Sequence, residues 1–371
     1  MNIDKELALE RGQEEKTLFL GRPSVLNGPK DYTTLGGVLE QHRETIIKHL
    51  KEVFGSDAET VYKLALAEHL YQRDQCFEAL IQVVSTIPMM EKKKNIWCLF
   101  VALTLEMTIL VMSGQASSTV PLMKALRERV LAAGGGEALL ENIDALEVWA
   151  AMYDGSAESI NHWMQQDAPD EYGEFDLVDT YRFLIKLRGY LVQEKHIALF
   201  ALAERLKSEL SAEKRVMDCC EVTLLMALSC HAQGRLEQAY RYMDEVLKIA
   251  EENRYDRLIG DEGKRMYRLL YDYRRERGRT PYLERVMEIA KKAGLLYPDY
   301  LKGLYHEVQQ LSDSELKVLR LMEEQLSSTE MAEYLDISVN TIKFHSKNIF
   351  RKLNVHNRNM AVKRARELGM L

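Results

Sequence analysis

Apolar residues recur at helical spacing along most of the chain, from about Thr45 to the C-terminal end. Turn-forming residues interrupt this pattern every 38 to 44 residues, at Asp74, Gly114, Gly155, Gln193, Gly234 and Gly278. A period of about 40 residues without strand signals is typical of helical hairpins, each of which buries its apolar face only against its neighbours. The pattern therefore predicts an all-α superhelix of stacked α-hairpins.

Residues 221–254 contain the clearest hairpin. Leu224 and Ala227 lie on its first helix, the turn follows at Gly234, and Ala239 opens the second helix. Small residues at 227 and 239 would let the paired helices approach closely. The unit resembles a tetratricopeptide repeat (TPR), and the remaining hairpins match that repeat less well.

The stretch Ile96–Met112 is largely apolar and has nearly the length of a membrane span. Glu106 falls near its middle, between Thr104 and Thr108. Because a charge at that depth in lipid costs several kcal/mol, the stretch predicts a buried repeat helix and no membrane segment.

Composition agrees with an all-α globular chain. Its 371 residues include only 7 prolines and 20 glycines, too few for the many turns of an all-β protein. The five cysteines are an odd number without a CxxC pair, which argues against a disulfide framework or a zinc cluster. The first residues lack the apolar core of a signal peptide. We therefore expect a protein of the reducing cytoplasm.

Turn-rich stretches divide the chain into four predicted segments. Residues 1–44 form an N-terminal segment and a turn-rich entry, and residues 45–297 form the TPR-like array, a predicted sensor or interaction domain. Residues 298–310 are a linker that begins at Pro298, and residues 311–371 have a helical pattern of their own.

The concave face of a helical array is a frequent site for a ligand or a partner protein. Six aromatic residues are candidates to line it: Trp97, Trp149, Trp163, Tyr267, Tyr271 and Tyr273. Packing in the core is the commoner role of such residues. The sequence therefore assigns no ligand-binding residue in the array.

Residues 311–371 predict four short helices. Their predicted starts are Ser312, Ser327 or Ser328, Ser338 and Arg358. The third helix runs to Lys352 after a tight turn, and the fourth runs to Leu368. Two helices joined by a tight turn to a longer third helix make a helix-turn-helix, whose last helix fits a DNA major groove.

The third of these helices has an apolar face and a cationic face. At about 100° per residue, one stripe holds Ile342, His345, Ile349 and Leu353. The opposite stripe holds Asn340, Lys343, Phe344, Lys347 and Arg351. An exposed aromatic ring amid cations suits contact with a thymine methyl group or a base edge, or packing on another domain in an autoinhibited state.

Charge is segregated within the same block. Residues 311–336 carry seven acidic and two basic residues, net −5, whereas residues 337–371 carry eight basic residues and one acid, net +7. The whole chain has a formal charge of −7. This concentration of positive charge predicts binding to a phosphate backbone. A merely solvated face, or a structural helix-turn-helix, is the alternative.

The spaced pattern of this block resembles the LuxR-type DNA-binding domain. The shared positions include Leu311-Ser312-x-x-Glu315-Leu316, Leu326-Ser327-x-x-Glu330-Met331-Ala332, Thr341-Ile342-Lys343-x-His345 and Arg358-x-x-Ala361-Val362. The resemblance implies base reading by Lys343, Phe344 and Lys347. It implies contacts with the DNA backbone at Ser338, Asn340, Thr341, Asn348, Arg351, Lys352 and Arg358.

The resemblance has two further implications. Domains of this type bind as dimers through the last helix, here at Met360, Val362 and Leu368. Gln325 replaces the glycine that commonly ends the first helix, so we expect a less favourable helix end there.

The array joined to this domain resembles the C-terminal half of the large ATP-dependent LuxR regulators of the maltose-activator type, in which the repeat superhelix senses the inducer. Residues 21–32 resemble the entry to that superhelix. No GxxxxGK[ST] motif occurs in the sequence, and the nearest approach, at residues 260–265, lacks the spacing and the hydroxyl residue. We therefore expect a truncated or short-form relative, without ATP-dependent switching.

Together these patterns predict a transcriptional regulator that binds double-stranded DNA as a homodimer, with an array that receives a small-molecule inducer or a protein partner. The alternative is a TPR-like adaptor that uses the helix-turn-helix for docking and lacks steeply salt-dependent DNA binding. The sequence contains no HExxH, no GxSxG and no histidines at metal spacing. It thus predicts no catalytic residue, no cofactor and no metal, and it favours a core or capping contact for His345.

Overall fold

The structure is a computed structural model that describes residues 22–28, 30–132, 137–154, 157–298, 300–301, 311–353, 355 and 357–367. The chain divides into two compact units, residues 1–302 and residues 303–371. Most of the described residues are helical. The β-type pairing among them is a single isolated bridge between Asn27 and Asp31. The predicted all-α fold, a TPR-like array followed by a helix-turn-helix domain, is confirmed. The division after residue 302 falls inside the predicted linker.

Successive helices of the first unit pack against one another along the chain. They are α1 (Gly36–Leu39), α2 (Arg43–Phe54), α3 (Ala58–Gln72), α4 (Cys76–Lys93), α5 (Ile96–Met112), α6 (Thr119–Ala132), α7 (Glu137–Asp154), α8 (Ala157–Gln166), α9 (Thr180–Val192), α10 (His196–Ala212), α11 (Val216–Ala232), α12 (Leu236–Asn253), α13 (Asp256–Gly260), α14 (Gly263–Arg277) and α15 (Pro281–Leu296). In the hairpin of α11 and α12, Ala227 and Ala239 are completely buried, as their small size at a close helix contact requires.

Helix α5 is the apolar stretch that has nearly the length of a membrane span, and it lies inside the array. Most of its side chains are buried, Leu103 and Met107 among them. Asn95 caps its N-terminus by accepting the Cys98 amide at 3.0 Å. Of the helices that the structure describes, none combines the length and the apolar character needed to cross a bilayer.

Left-handed backbone marks most of the predicted turns. Positive φ angles occur at Asp74 (62°), Gly114 (80°), Gly234 (71°) and Gly278 (94°). The turn predicted at Gln193 has its left-handed residue at Glu194, and Gly155 lies outside the described residues. Sequence signals missed a second set of left-handed residues at Lys94, Lys214 and Arg254, which end the alternate helices. These are not glycines, so no turn signal distinguished them.

The first unit brings its beginning and its end together. Helix α3 contacts α13, and the Tyr71 hydroxyl donates to Asp261 at 2.6 Å across 190 residues of sequence. The segment that precedes α1, residues 22–28 and 30–33, lies between these parts of the array, and we call it the strap. Its Arg22 reaches Asp218 of α11 at 2.9 Å, and its Leu26 amide reaches Glu68 of α3 at 3.1 Å.

The second unit contains the four predicted short helices. They are α16 (Asp313–Glu323), α17 (Ser328–Leu335), α18 (Val339–Lys352) and α19 (Arg358–Glu367). Their core is formed by fully buried residues that include Val318, Leu319, Ile342, Ile349 and Ala361. The predicted end of the last helix, Leu368, lies outside the described residues.

Candidate nucleic-acid interface

Two capping boxes fix the starts of α16 and α17. The Ser312 hydroxyl accepts the Glu315 amide at 3.3 Å while the Glu315 carboxylate accepts the Ser312 amide at 2.8 Å. Ser327 and Glu330 repeat this exchange at 3.3 and 2.7 Å. Each box satisfies amide groups that a helix start would otherwise leave unpaired. Of the two serines considered for the second cap, Ser327 holds it.

Helix α18 turns an apolar face toward the core of its unit. Ile342, Ile349 and Leu353 are each at most 2% exposed. His345, predicted on the same stripe, is only half-buried, and its ring lies edge-on to Phe344 with centroids 6.0 Å apart. The inward stripe is therefore formed mainly by branched aliphatic residues.

The opposite face of α18 is exposed and cationic. Asn340, Lys343 and Lys347 are exposed, and Phe344 between them is 62% exposed. Within the described part of the chain, neither lysine forms an ion pair. The side chain of Arg351, predicted on the same stripe, lies outside the described part. This face thus offers unpaired positive charge beside an uncovered aromatic ring, a combination suited to base edges and phosphates.

The N-terminus of α18 is held by two of the predicted backbone-contact residues. The Ser338 hydroxyl accepts the Thr341 amide at 3.1 Å, and the two hydroxyls lie 2.8 Å apart. Ser338 is exposed and Thr341 is half-buried. A helix N-terminus with exposed hydroxyls can hydrogen-bond a phosphate oxygen. Asn348 is half-buried on α18. Within the described part of the chain its side chain forms no hydrogen bond, so no internal contact keeps it from DNA.

Lys352 and Arg358, two further predicted backbone contacts, make internal bonds. Lys352 binds the Glu315 carboxylate at 2.6 Å. Partial burial acts to raise the pKa of Glu315, but the bonds from Lys352 and Ser312 outweigh it and lower that pKa below its ordinary value. Arg358 donates to the carbonyls of Met322 at 2.6 Å and Leu326 at 2.5 Å. Both side chains thus stabilise the domain itself.

Arg358 takes over part of the role that a glycine would have at the end of α16. Gln325 lies there in the left-handed region with φ of 66°, where a side chain is unfavourable. The guanidinium of Arg358 satisfies the carbonyl of Met322 in the last turn of α16 and that of Leu326 just after the helix. Sequence reasoning noticed the missing glycine but missed this arginine, because the two residues are far apart in the chain.

The predicted dimer contacts are described only in part. Met360 is 47% exposed, Val362 is half-buried against the core of its unit, and Leu368 lies outside the described residues. Sequence reasoning also missed Tyr334 of α17, which is 73% exposed. The dimer contacts stay a prediction.

The aromatic candidates of the array do not share one surface. Trp149 lines a cavity of the array, whereas Trp163 is buried and Tyr273 donates to Asp244 at 2.6 Å. Tyr271 is 41% exposed, and Arg274 stacks on its ring. Among the described residues, no group of histidine, cysteine and acidic side chains is arranged to hold a metal ion.

Comparison with known proteins agrees with both units. Residues 39–276, more than half of the chain, match the family model of the MalT-like TPR region. Residues 309–365 match the model described as bacterial regulatory proteins, luxR family.

Two curated relatives share similarity over a shorter length. A nitrate/nitrite response regulator protein homolog of Haemophilus influenzae is 40% identical over 83 residues, which are 20% of this chain and 39% of that protein. The transcriptional regulatory protein DesR of Bacillus subtilis is 35% identical over 72 residues, 19% of this chain and 36% of that protein. The chain therefore spans less than two fifths of the length of either relative.

Proposed function

Because the chain belongs to the family of proteins with a MalT-like TPR region and carries a luxR-family regulatory domain, we propose that it is a transcriptional regulator that binds double-stranded DNA through α18. The observation that carries this proposal is the exposed face of that helix, where Lys343 and Lys347 flank Phe344 and form no ion pair with any residue that the structure describes. A helix of these dimensions fits the major groove of B-DNA. Both curated relatives carry names of regulators, which supports the same function.

The proposal gives each residue of the interface a role. Lys343, Phe344 and Lys347 read base edges, because they lie exposed at the centre of the outward face. Backbone phosphates are bound by Ser338, Asn340, Thr341, Asn348, Arg351, Lys352 and Arg358. For Lys352 and Arg358 this contact is additional to their internal bonds. Met360, Val362 and Leu368 contribute to a homodimer on DNA.

The array, in this proposal, receives a small molecule or a protein and thereby shifts the equilibrium between states that differ in DNA affinity. The internal cavity of the array and the strap that forms part of its wall support such a role.

The direct test is a titration of single-lysine variants on DNA. Fragments selected from random genomic DNA by the purified chain supply the preferred duplex, and a scrambled duplex serves as reference. Lys343→Ala or Lys347→Ala should lose about 1–3 kcal/mol of binding free energy on the preferred duplex and less on the scrambled one. Arg351→Ala should weaken both duplexes alike.

Lys317→Ala is the matched control, because Lys317 is an exposed lysine of the same unit that lies on α16. It should leave both titrations unchanged. Equal losses on the two duplexes for Lys343→Ala would contradict base reading, and full affinity of that variant on both would contradict the interface itself.

A further inference from the structure

A cavity of about 160 Å³ lies inside the array, at the place where its beginning and end meet. Its walls come from the strap and from α3, α5, α7, α9, α11 and α13. The Leu258 amide donates to the Gln72 side chain at 3.0 Å beside it, which joins α13 to α3. The lining residues all belong to the first unit.

The strap forms part of the wall of this cavity. Arg22 contributes to the wall and binds Glu221 at 2.5 Å. Thr33 lies 2.5 Å from the Tyr255 hydroxyl. The carboxyl of Glu68 accepts the Ser24 hydroxyl and the Val25 amide. The strap thus bridges α3 and α11, and a molecule inside the cavity would touch parts that are distant in sequence.

The charged groups around the cavity are paired with one another. Arg22 binds Asp218 and Glu221, Arg188 binds Glu221 and Glu262, and Arg257 binds Asp74 and Asp261. Glu68 is held by neutral donors of the strap, and burial raises the pKa of its carboxyl to about 7. An ionic ligand would have to break one of these buried pairs, which is costly.

Two neutral hydrogen-bonding groups of the cavity wall, by contrast, have no partner within the described part of the chain. Thr104 and His69 line the cavity and are only 5% and 6% exposed. The Thr104 hydroxyl and His69 Nε2 have no hydrogen-bond partner within the described part of the chain. Burial, with the charge of Arg73, lowers the pKa of His69 and so favours the neutral ring. Unsatisfied buried polar groups of this kind are uncommon and mark a missing partner.

Aromatic rings supply the remaining walls. Trp149, Tyr153 and Tyr181 line the cavity together with the aliphatic side chains of Leu105 and Ile185. Flat apolar walls with a few polar groups are typical of small-molecule sites. The volume is that of roughly five water molecules, or of one substituted six-membered ring.

We propose that this cavity binds a compact neutral molecule, a single ring that bears hydroxyl or amide groups, which hydrogen-bonds Thr104 and His69 and stacks on the aromatic wall. The inference rests on the proposed signal-receiving role of the array. Because the ligand touches α3, α5 and the strap at once, its binding stabilises the strap against the array.

Hydrogen exchange of the full chain tests this, with two pairs of probes that share size and differ in charge. The pairs are nicotinamide with nicotinate and glucose with glucuronate, each at millimolar concentration. A neutral probe at about ten times its Kd should slow exchange of the strap amides roughly tenfold. Peptides from α16 to α18 should keep their exchange rates. Protection by nicotinamide would indicate a planar amide as the ligand, and protection by glucose would indicate a polyol.

Two threonine variants locate the site. Thr104→Val removes the unpaired hydroxyl at constant shape and should weaken binding of the active probe about three- to tenfold. Thr223→Val is the control, because Thr223 is as deeply buried on α11, donates to the Cys219 carbonyl at 2.8 Å and does not line the cavity. It should leave probe binding unchanged.

The inference is overturned if neither neutral probe slows hydrogen exchange of the strap amides. It is also overturned if a charged probe protects these amides more strongly than its neutral partner does. Equal affinity of wild type and Thr104→Val would place the probe elsewhere and overturn it as well. DNA titration of the same preparation separates the two proposals, since intact DNA binding without probe binding removes only this inference.

Discussion

The interior of the array and the exposed face of α18 use cationic side chains in opposite ways. In the array, Arg188, Arg215 and Arg257 are buried and held by carboxylates or carbonyls. In the helix-turn-helix unit, Lys343 and Lys347 are exposed on α18 without an ion pair among the described residues. A buried and paired charge contributes to the stability of one arrangement. An exposed and unpaired charge contributes little to stability and is free to bind phosphate.

The same contrast applies to the acidic residues. Asp218 and Glu221 lie on the largely apolar α11, completely or almost completely buried, and they bind the arginines of the strap and of α9. In the second unit two acidic residues, Glu315 and Glu330, complete capping boxes at helix starts. The array therefore depends on contacts across about 190 residues of sequence, whereas the small unit depends on local caps.

Removal of Arg215 tests the contrast most severely. Its side chain is 0% exposed, binds Asp218 at 2.8 Å and donates to the carbonyl of Asn27 in the strap at 2.8 Å. Arg215→Met should cost about 3–5 kcal/mol of unfolding free energy, because it deprives the buried Asp218 carboxylate of one of its two arginines and removes the donor to the strap carbonyl of Asn27. Urea unfolding followed by tryptophan fluorescence reports on the array, which contains all three tryptophans.

Arg241→Met is the control for this variant. The Arg241 side chain is 76% exposed and lies 3.8 Å from Glu237. Its replacement should change stability by about 0.5 kcal/mol or less. Similar losses for the two variants would contradict a structural role for the buried arginine.

The pH dependence of the array should be set in part by Glu68. Burial raises the pKa of this carboxyl from 4.5 to about 7 in the folded chain. The folded state therefore holds the proton more tightly than the unfolded state, and stability present below pH 4.5 is lost as pH rises to 7. Relative to Glu68→Gln, wild type should lose about 3 kcal/mol over that interval. Urea unfolding of both proteins between pH 4.5 and 7.5 measures the difference, and parallel profiles would refute it.

A smaller effect is expected at the end of α16. Gln325→Gly should stabilise the second unit by about 0.5–1 kcal/mol, because glycine tolerates the left-handed φ of 66°. Glu324→Gly, one residue earlier at φ −71°, should instead destabilise it by a similar amount. Hydrogen exchange of α16 to α18 measures both. Destabilisation by Gln325→Gly would show that the side chain at 325 is required there.

Most of the structural features that the sequence predicted correctly follow from local patterns. The helices, the turns near Asp74 and Gly234 and the two faces of α18 follow from periodicity and capping within about ten residues of sequence. Ser338 as a cap and Phe344 as an exposed residue agree with the prediction from the same patterns.

The rest depends on contacts between distant residues. The sequence of the strap predicts only a turn-rich segment. Nothing in it indicates that Arg22 pairs with Glu221, 199 residues away. The cavity is likewise formed from several helices, so the role of Thr104 is invisible in the apolar pattern of α5. Arg358 is a predicted DNA contact by the resemblance alone, and its bonds to Met322 and Leu326 join separate helices, so the sequence did not reveal them.

The salt dependence of DNA binding tests the central claim, that the cationic residues of α18 and of the start of α19 bind a phosphate backbone. We predict that the logarithm of the association constant on the preferred duplex falls with the logarithm of salt concentration, with a slope of about −3 or steeper per bound chain. Contacts from Arg351, Lys352 and Arg358 would account for that slope. A slope near zero, or no binding at low salt, would contradict the claim and favour an adaptor that docks on protein.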